Sequence, residues 1–220
     1  MSSQKEAFLG GEGDAYFQRT DGHVTFDITS SLQELLIFPR DVLEIGCSSG
    51  DRLVKLHRLF GATCHGIDPS GSAIEHGRKA CTGLGVSLKI GTAEKLDYAD
   101  DSFDLVIFGH CISWTDPRDH FTIAAEANRV LADRGSLVIV DFNTRAAYSN
   151  GYIHKPGLRT HKMDFSQMFL WHPSYRLLSR RYAEHNAEIF TFEPDEAVTI
   201  DVLRKDLAGA FPRHGTSPDM

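Results

Sequence analysis

The sequence is poor in features that mark several protein classes. Its four cysteines, Cys47, Cys64, Cys81 and Cys111, form no C-x-x-C pair, and each lies in a stretch that reads as buried or semi-buried. A zinc site or disulfide framework is thereby disfavoured, and free thiols in a reducing compartment fit better. No apolar run approaches the ~20 residues a membrane-spanning helix needs, and residues 1–6 (MSSQKE) lack the apolar core of a secretion signal. A cytoplasmic protein without membrane insertion is the expectation. Basic charge is also short: 23 Lys and Arg stand against 30 Asp and Glu, for a net charge of -7. That argues against a general nucleic-acid binder, because phosphates are held by clustered cations. The chain has eleven histidines, but residues 143–173 contain no H-x-H or H-x-x-x-H pair; no metal is expected.

What is present is alternation. Residues 42–45 are a short apolar run ending at glycine, followed by small residues and then Leu53, Leu56 and Leu59 at helical spacing. The pattern repeats: strands over 62–67, 86–90, 103–108 and 137–140, helices over 51–60, 72–81 and 121–131, and a turn at Gly135. Before it, 31–38 reads as a helix stopped by Pro39, and Gly10, Gly11 and Gly13 read as a flexible opening. After Asp141 the alternation stops. Residues 143–173 are irregular, 175–183 and 197–207 read as a late strand pair, and the tail reads as disordered. Strands alternating with helices imply an α/β, doubly wound, mostly parallel sheet. One domain over 1–207 is expected: an arm and helix (1–40), a core (41–142), an insertion (143–173) and C-terminal strands (174–207), with a tail at 208–220.

Two motifs point to a ligand. In VLEIGCSSGD (42–51) a buried strand runs into a turn of small residues and then a helix, which lets a ligand approach the backbone closely. Its spacing of Gly46, Ser48 and Gly50 does not match G-x-G-x-x-G, which counts against a nicotinamide-dependent oxidoreductase. In GIDPS (66–70) Asp68 closes the second strand, where a carboxylate accepts both ribose hydroxyls of an adenosine ligand. Pro69 suits the turn that follows.

With GTAEKLDYADDSFDLVIFGHCISW (91–114) and RVLADRGSLVIVDF (129–142), these segments resemble the class I S-adenosylmethionine-dependent methyltransferases of small-molecule type, over roughly 41–142. The resemblance implies a Rossmann-like, seven-stranded sheet with the last strand antiparallel. It implies S-adenosylmethionine as cofactor, S-adenosylhomocysteine as product, and a small-molecule acceptor. Glu44 matches the acid that orients the methionine end, and Gly46, Cys47, Ser48 and Gly50 match the turn beneath it. Asp68 matches the ribose acid. Thr92, Ala93 and Glu94 fall on the adenine loop, with Thr92 where the family usually has an acid. Gly109 and His110 match positions near the methionine and the acceptor. A fainter likeness of EGDAYFQR (12–19) and YIHKPGLRTHKMDF (152–165) to bacterial methyltransferases of surface-glycan and unusual-sugar synthesis implies a sugar-derived acceptor.

Methyl transfer from a sulfonium depends on alignment and exclusion of water, and a protonated acceptor also gains from a base. His110 is a candidate base or a wall of the pocket. Asp141 is an acceptor contact or a turn residue. His154, with Tyr152, is functional or part of a solvated loop. Tyr16, Phe17 and Arg19 form a candidate lid, with Arg19 for the cofactor carboxylate, and Trp114 walls the acceptor pocket or packs the core. Residues 143–173 are expected to cap that pocket, with Lys155, Arg159 and Lys162 favouring an anionic acceptor or forming a solvated face. A monomer or homodimer is expected. The alternative is a cofactor-binding, non-catalytic subunit of a larger assembly.

Overall fold

The computed structural model describes residues 3–20, 26–184, 193 and 195–212. The amino end is helical: α1 (Gln4–Ala7) runs through a kinked turn (Phe8–Glu12) into α2 (Gly13–Thr20), and α3 (Thr29–Glu34) follows. The alternating region comprises β1 (Asp41–Ile45), α4 (Asp51–Phe60), β2 (Thr63–Asp68), α5 (Gly71–Ala80), β3 (Val86–Ile90) and β4 (Phe103–Gly109). Helix α6 (His120–Val130) leads into β5 (Leu131–Phe142). A separate hairpin of β6 (Tyr148–Gly151) and β7 (Arg159–Lys162) and a single turn α7 (Gln167–Leu170) precede β8 (Tyr175–Glu184) and β9 (Ala197–Lys205).

Seven strands form one sheet in the order β3-β2-β1-β4-β5-β9-β8. Strands β1 to β5 pair in parallel, and β9 runs antiparallel to both β5 and β8. This is the doubly wound sheet with an inserted antiparallel last strand. Chain order reverses between β1 and β4, which opens a crevice at their carboxyl ends. Alternate side chains of the central strands feed two cores. Val42, Leu105 and Ile107 pack with Leu32, Leu53 and Leu56 on one face, and Leu43, Val106 and Phe108 pack with Ile123, Phe165 and Phe169 on the other.

Four local expectations need correction. The opening at residues 10–13 is part of a helical arm, with the chain bent at Gly11 (φ 113°). The helix expected over 31–38 ends earlier. Leu36 turns left-handed (φ 55°), and the Ile37 N–H donates back to the Leu32 carbonyl at 2.8 Å, which buries Ile37 and leaves Leu36 in solvent. Strand β5 starts at Leu131, with Gly135 inside it, because Leu131 pairs Phe103 across a register shift that absorbs the left-handed Arg134. The insertion at 143–173 is partly ordered into the β6–β7 hairpin and α7. The tail expected to be disordered falls mostly at 213–220, outside the described residues.

Candidate active site

A cavity of about 490 Å³ opens where the carboxyl ends of β1, β2, β3 and β4 meet, within the ~300–1,000 Å³ usual for ligand pockets. Its floor is the turn after β1. Gly46, Ser48 and Gly50 all take positive φ (74°, 49° and 81°), and the Gly46 and Cys47 N–H groups both donate to the Ile67 carbonyl. A Cβ at Gly46 would stand 2.5 Å from Cys111 Cβ, so only glycine lets this bend pass beneath the loop after β4. Ser48 holds a conformation that costs a non-glycine residue about 1 kcal/mol. Gly46, Cys47 and Ser48 line the cavity; Gly50 shapes the bend without reaching it.

Asp68 is fixed by two backbone donors. The Ser48 N–H donates to Oδ2 at 2.9 Å and the Ser70 N–H to Oδ1 at 2.8 Å, although burial still raises its pKa. Pro69 and the loop residues Thr92, Ala93 and Glu94 continue the same wall, and the Oε2 of Glu94 has no hydrogen-bond partner. At the floor, Glu44 is buried and its Oε1 accepts from Arg52 Nη1. Glu44 Oε2 and Arg52 Nε have no partner although both side chains are nearly sealed and line the cavity. One acceptor and one donor of the same buried ion pair thus lack partners, the chemistry that an amino-acid zwitterion would complete. Gly109 closes over them, since a Cβ there would lie 2.5 Å from Glu44 Oε1.

His110 follows β4 with φ 62°, its N–H donating to the Val140 carbonyl. Its ring lines the cavity, near the rings of Phe26 and Phe142. Asp141 lies behind it, with Oδ1 3.9 Å from His110 Nδ1. Asp141 does not line the cavity. It accepts from the Ile112 and Ser113 N–H groups at 2.9 and 3.2 Å and from that of Phe142 at 2.8 Å. Burial outweighs those bonds and lifts its pKa to about 6. It therefore holds the loop after β4 in place and does not reach a ligand directly.

The arm covers the opening. Tyr16 and Phe17 line the cavity as a lid would, together with Lys5, Phe8 and Thr20, and Trp114 lines it against Phe8 and Tyr16. Arg19 does not. It pairs with buried Glu12 at 2.6 Å and donates to the Tyr152 hydroxyl. His154 lies off the cavity beside Tyr152, ring centroids 5.2 Å apart. No residue of 143–173 lines the cavity; the hairpin braces the arm from behind, with the Arg159 N–H on Gln4 Oε1 at 2.7 Å and Tyr152 against Trp114. Lys162 is buried over Phe142 and bound to Asp195, and Arg159 is exposed and bound to Ser149, so neither reaches the cavity. Among the described residues no group of three or more His, Cys, Asp or Glu is placed to hold a metal ion, and no helix is long and apolar enough to cross a membrane.

Arg52, Lys5, Phe8 and Phe26 also line the cavity, outside the motifs that mark the site in the sequence. A signal for Arg52 was available: it lies four residues before Leu56, on the buried side of α4.

Comparison with known proteins finds likeness to methyltransferases over part of the sequence and in the fold. Residues 42–135 match the family described as a methyltransferase domain. An ajmaline N-methyltransferase from Rauvolfia serpentina is 32% identical over 106 residues, which are 46% of this chain and 36% of that protein. A ubiquinone/menaquinone biosynthesis C-methyltransferase from Desulfotalea psychrophila is 33% identical over 101 residues, 46% of this chain and 40% of that protein. The chain thus covers well under half the length of these curated relatives. Among solved structures, the 1,6-didemethyltoxoflavin-N1-methyltransferase of Burkholderia thailandensis, bound to 1,6-didemethyltoxoflavin and S-adenosylhomocysteine, superposes with a TM-score of 0.72 at 14% identity, covering 92% of this chain and 87% of that one. A SAM-dependent methyltransferase of Methanosarcina mazei gives 0.66 at 19%, covering 83% and 100%.

Proposed function

We propose that this protein transfers a methyl group from S-adenosylmethionine to a small-molecule acceptor. The observation that carries the reading is the convergence of three groups on one cavity: Asp68, the loop at 92–94, and the incompletely bonded Glu44–Arg52 pair. They suit the ribose, the adenine and the amino-acid end of one ligand. The cofactor supplies an activated methyl group on a sulfonium. The protein's residues do the rest. Asp68 accepts the ribose hydroxyls, Glu44 Oε2 takes the ammonium and Arg52 the carboxylate. The arm excludes water, which sharpens alignment of the acceptor. His110 takes a proton from the acceptor where one must leave, and Asp141 behind it favours the charged imidazole.

The narrower reading of a sugar-derived acceptor rests on residues 12–19 and 152–165; of these, Gly13, Tyr16 and Phe17 line the cavity and none of 152–165 does. The acceptor is therefore proposed at the level of a small molecule. Titration calorimetry with S-adenosylhomocysteine and with NAD tests the cofactor reading. Micromolar binding of the first, lost in Asp68→Ala, supports it; preference for NAD or an unchanged Asp68→Ala variant overturns it. Turnover with any acceptor separates an enzyme from a cofactor-binding subunit.

A further inference from the structure

One end of the cavity carries groups that the cofactor roles leave unused. Phe8 and Tyr16 each place a ring centroid 5.6 Å from that of Trp114, with interplanar angles of 56° and 67°. Thr115 follows Trp114 into the lining, and Lys5 lies three residues before Phe8, on the same side of the arm. The position of Lys5 is fixed by its neighbour. The Gln4 N–H donates to Asp116 Oδ2 at 3.0 Å, and Gln4 Nε2 donates to the Trp114 carbonyl at 2.6 Å. The Lys5 ammonium makes no ion pair or hydrogen bond among the described residues. The lining carboxylates lie elsewhere: Glu44 is held by Arg52, Asp68 by two backbone N–H groups, and Glu94 follows β3 at the adenine end.

Three mutually packed rings on the cavity wall favour a flat apolar guest laid against them, stacked or edge-on. An unpaired ammonium at the rim of a partly enclosed site favours an anion and repels a cationic amine. A neutral polyol would leave that ammonium uncompensated and set its hydroxyls against ring faces. We propose that the acceptor is a planar aromatic or heteroaromatic ring bearing an anionic group, the ring held by Phe8, Tyr16 and Trp114 and the anion by Lys5. This deepens, and rests on, the methyltransferase reading.

The test uses protein saturated with S-adenosylhomocysteine and four probes: 2-naphthoate, neutral 2-naphthamide, 2-naphthylmethylammonium and methyl glucoside, with affinities from calorimetry. Naphthoate should bind at least about tenfold more tightly than either naphthyl analogue, the worth of one charge-assisted contact, and methyl glucoside should not compete with it. Lys5→Gln should remove the advantage of naphthoate over naphthamide, and Trp114→Ala should weaken both. Retained S-adenosylhomocysteine affinity shows that each variant is folded. Equal binding of naphthoate and naphthamide, competition by the glucoside, or an unaltered Lys5→Gln variant overturns the proposal and leaves the cofactor reading standing. Failure of S-adenosylhomocysteine to bind the unmodified protein overturns both.

Discussion

Arg52 joins a buried ion pair to the wall of the cavity. Its guanidinium neutralises buried Glu44, its Nε lacks a partner, and the residue lines the cavity. Arg52→Lys keeps the charge but loses the planar fork. It should weaken S-adenosylhomocysteine by about 1.5 kcal/mol, one charge-assisted bond, while leaving 5′-methylthioadenosine, which lacks the amino-acid end, unchanged. Equal losses for the two ligands would assign Arg52 to structure alone. Asp141 makes a second prediction, in pH. Its folded pKa of about 6 lies above the ordinary carboxylate value. The native state therefore keeps a proton that the unfolded chain releases. The resulting stability is full below about pH 4 and is lost as pH rises through about 6. Between those limits, urea unfolding should show the protein losing about 3 kcal/mol relative to Asp141→Asn. A difference that stays flat with pH would mean that the carboxylate is already charged at pH 4.

Strand–turn–helix units were legible because each is encoded locally. The apolar run before Gly46, the glycines of the bend and the leucine spacing of α4 lie within twenty residues of one another. The arm was not legible for the opposite reason. Gln4 is fixed by Trp114 and Asp116, more than a hundred residues away, and Asp14 by Ser70 and Ser72. Two adjacent glycines at the bend also look like a loop to any local reading. Removing the side-chain anchors with Gln4→Ala and Asp14→Ala, which keeps the Gln4 N–H on Asp116, should speed amide exchange over 4–20 and leave exchange in β1, β4 and β5 untouched; hydrogen–deuterium exchange checks this. Among packed elements, Gly77 of α5 lies against the Ser49 carbonyl, with no room for a Cβ. Gly77→Ala should therefore lower stability and also weaken S-adenosylhomocysteine, because relief of the clash shifts the bend under the ligand; an unchanged melting temperature would contradict this.

Across the whole molecule, the parallel core and its crevice follow from sequence, whereas the insertion takes its shape from long-range partners. Its hairpin is tied to Asp195 through Tyr148, Asn150 and Lys162, and its last part supplies Phe165 and Phe169 to the core. Deleting all of 143–173 would open that core. Replacing only 149–161 by a short glycine–serine linker removes the brace on the arm and spares the core. Cofactor affinity should persist and acceptor turnover should fall, measured side by side; full turnover would show that the brace is dispensable.

The antiparallel β9 lies between β5 and β8, although β8 precedes it in the chain. During synthesis β8 therefore has no place to dock until residues 197–205 have left the ribosome, and the β5 flank stays an open template for hydrogen bonding. A nascent chain halted before that point exposes an unpaired edge of the kind that recruits other chains. The latest strand of the sheet to be made is thus the one that protects the newborn protein from its neighbours.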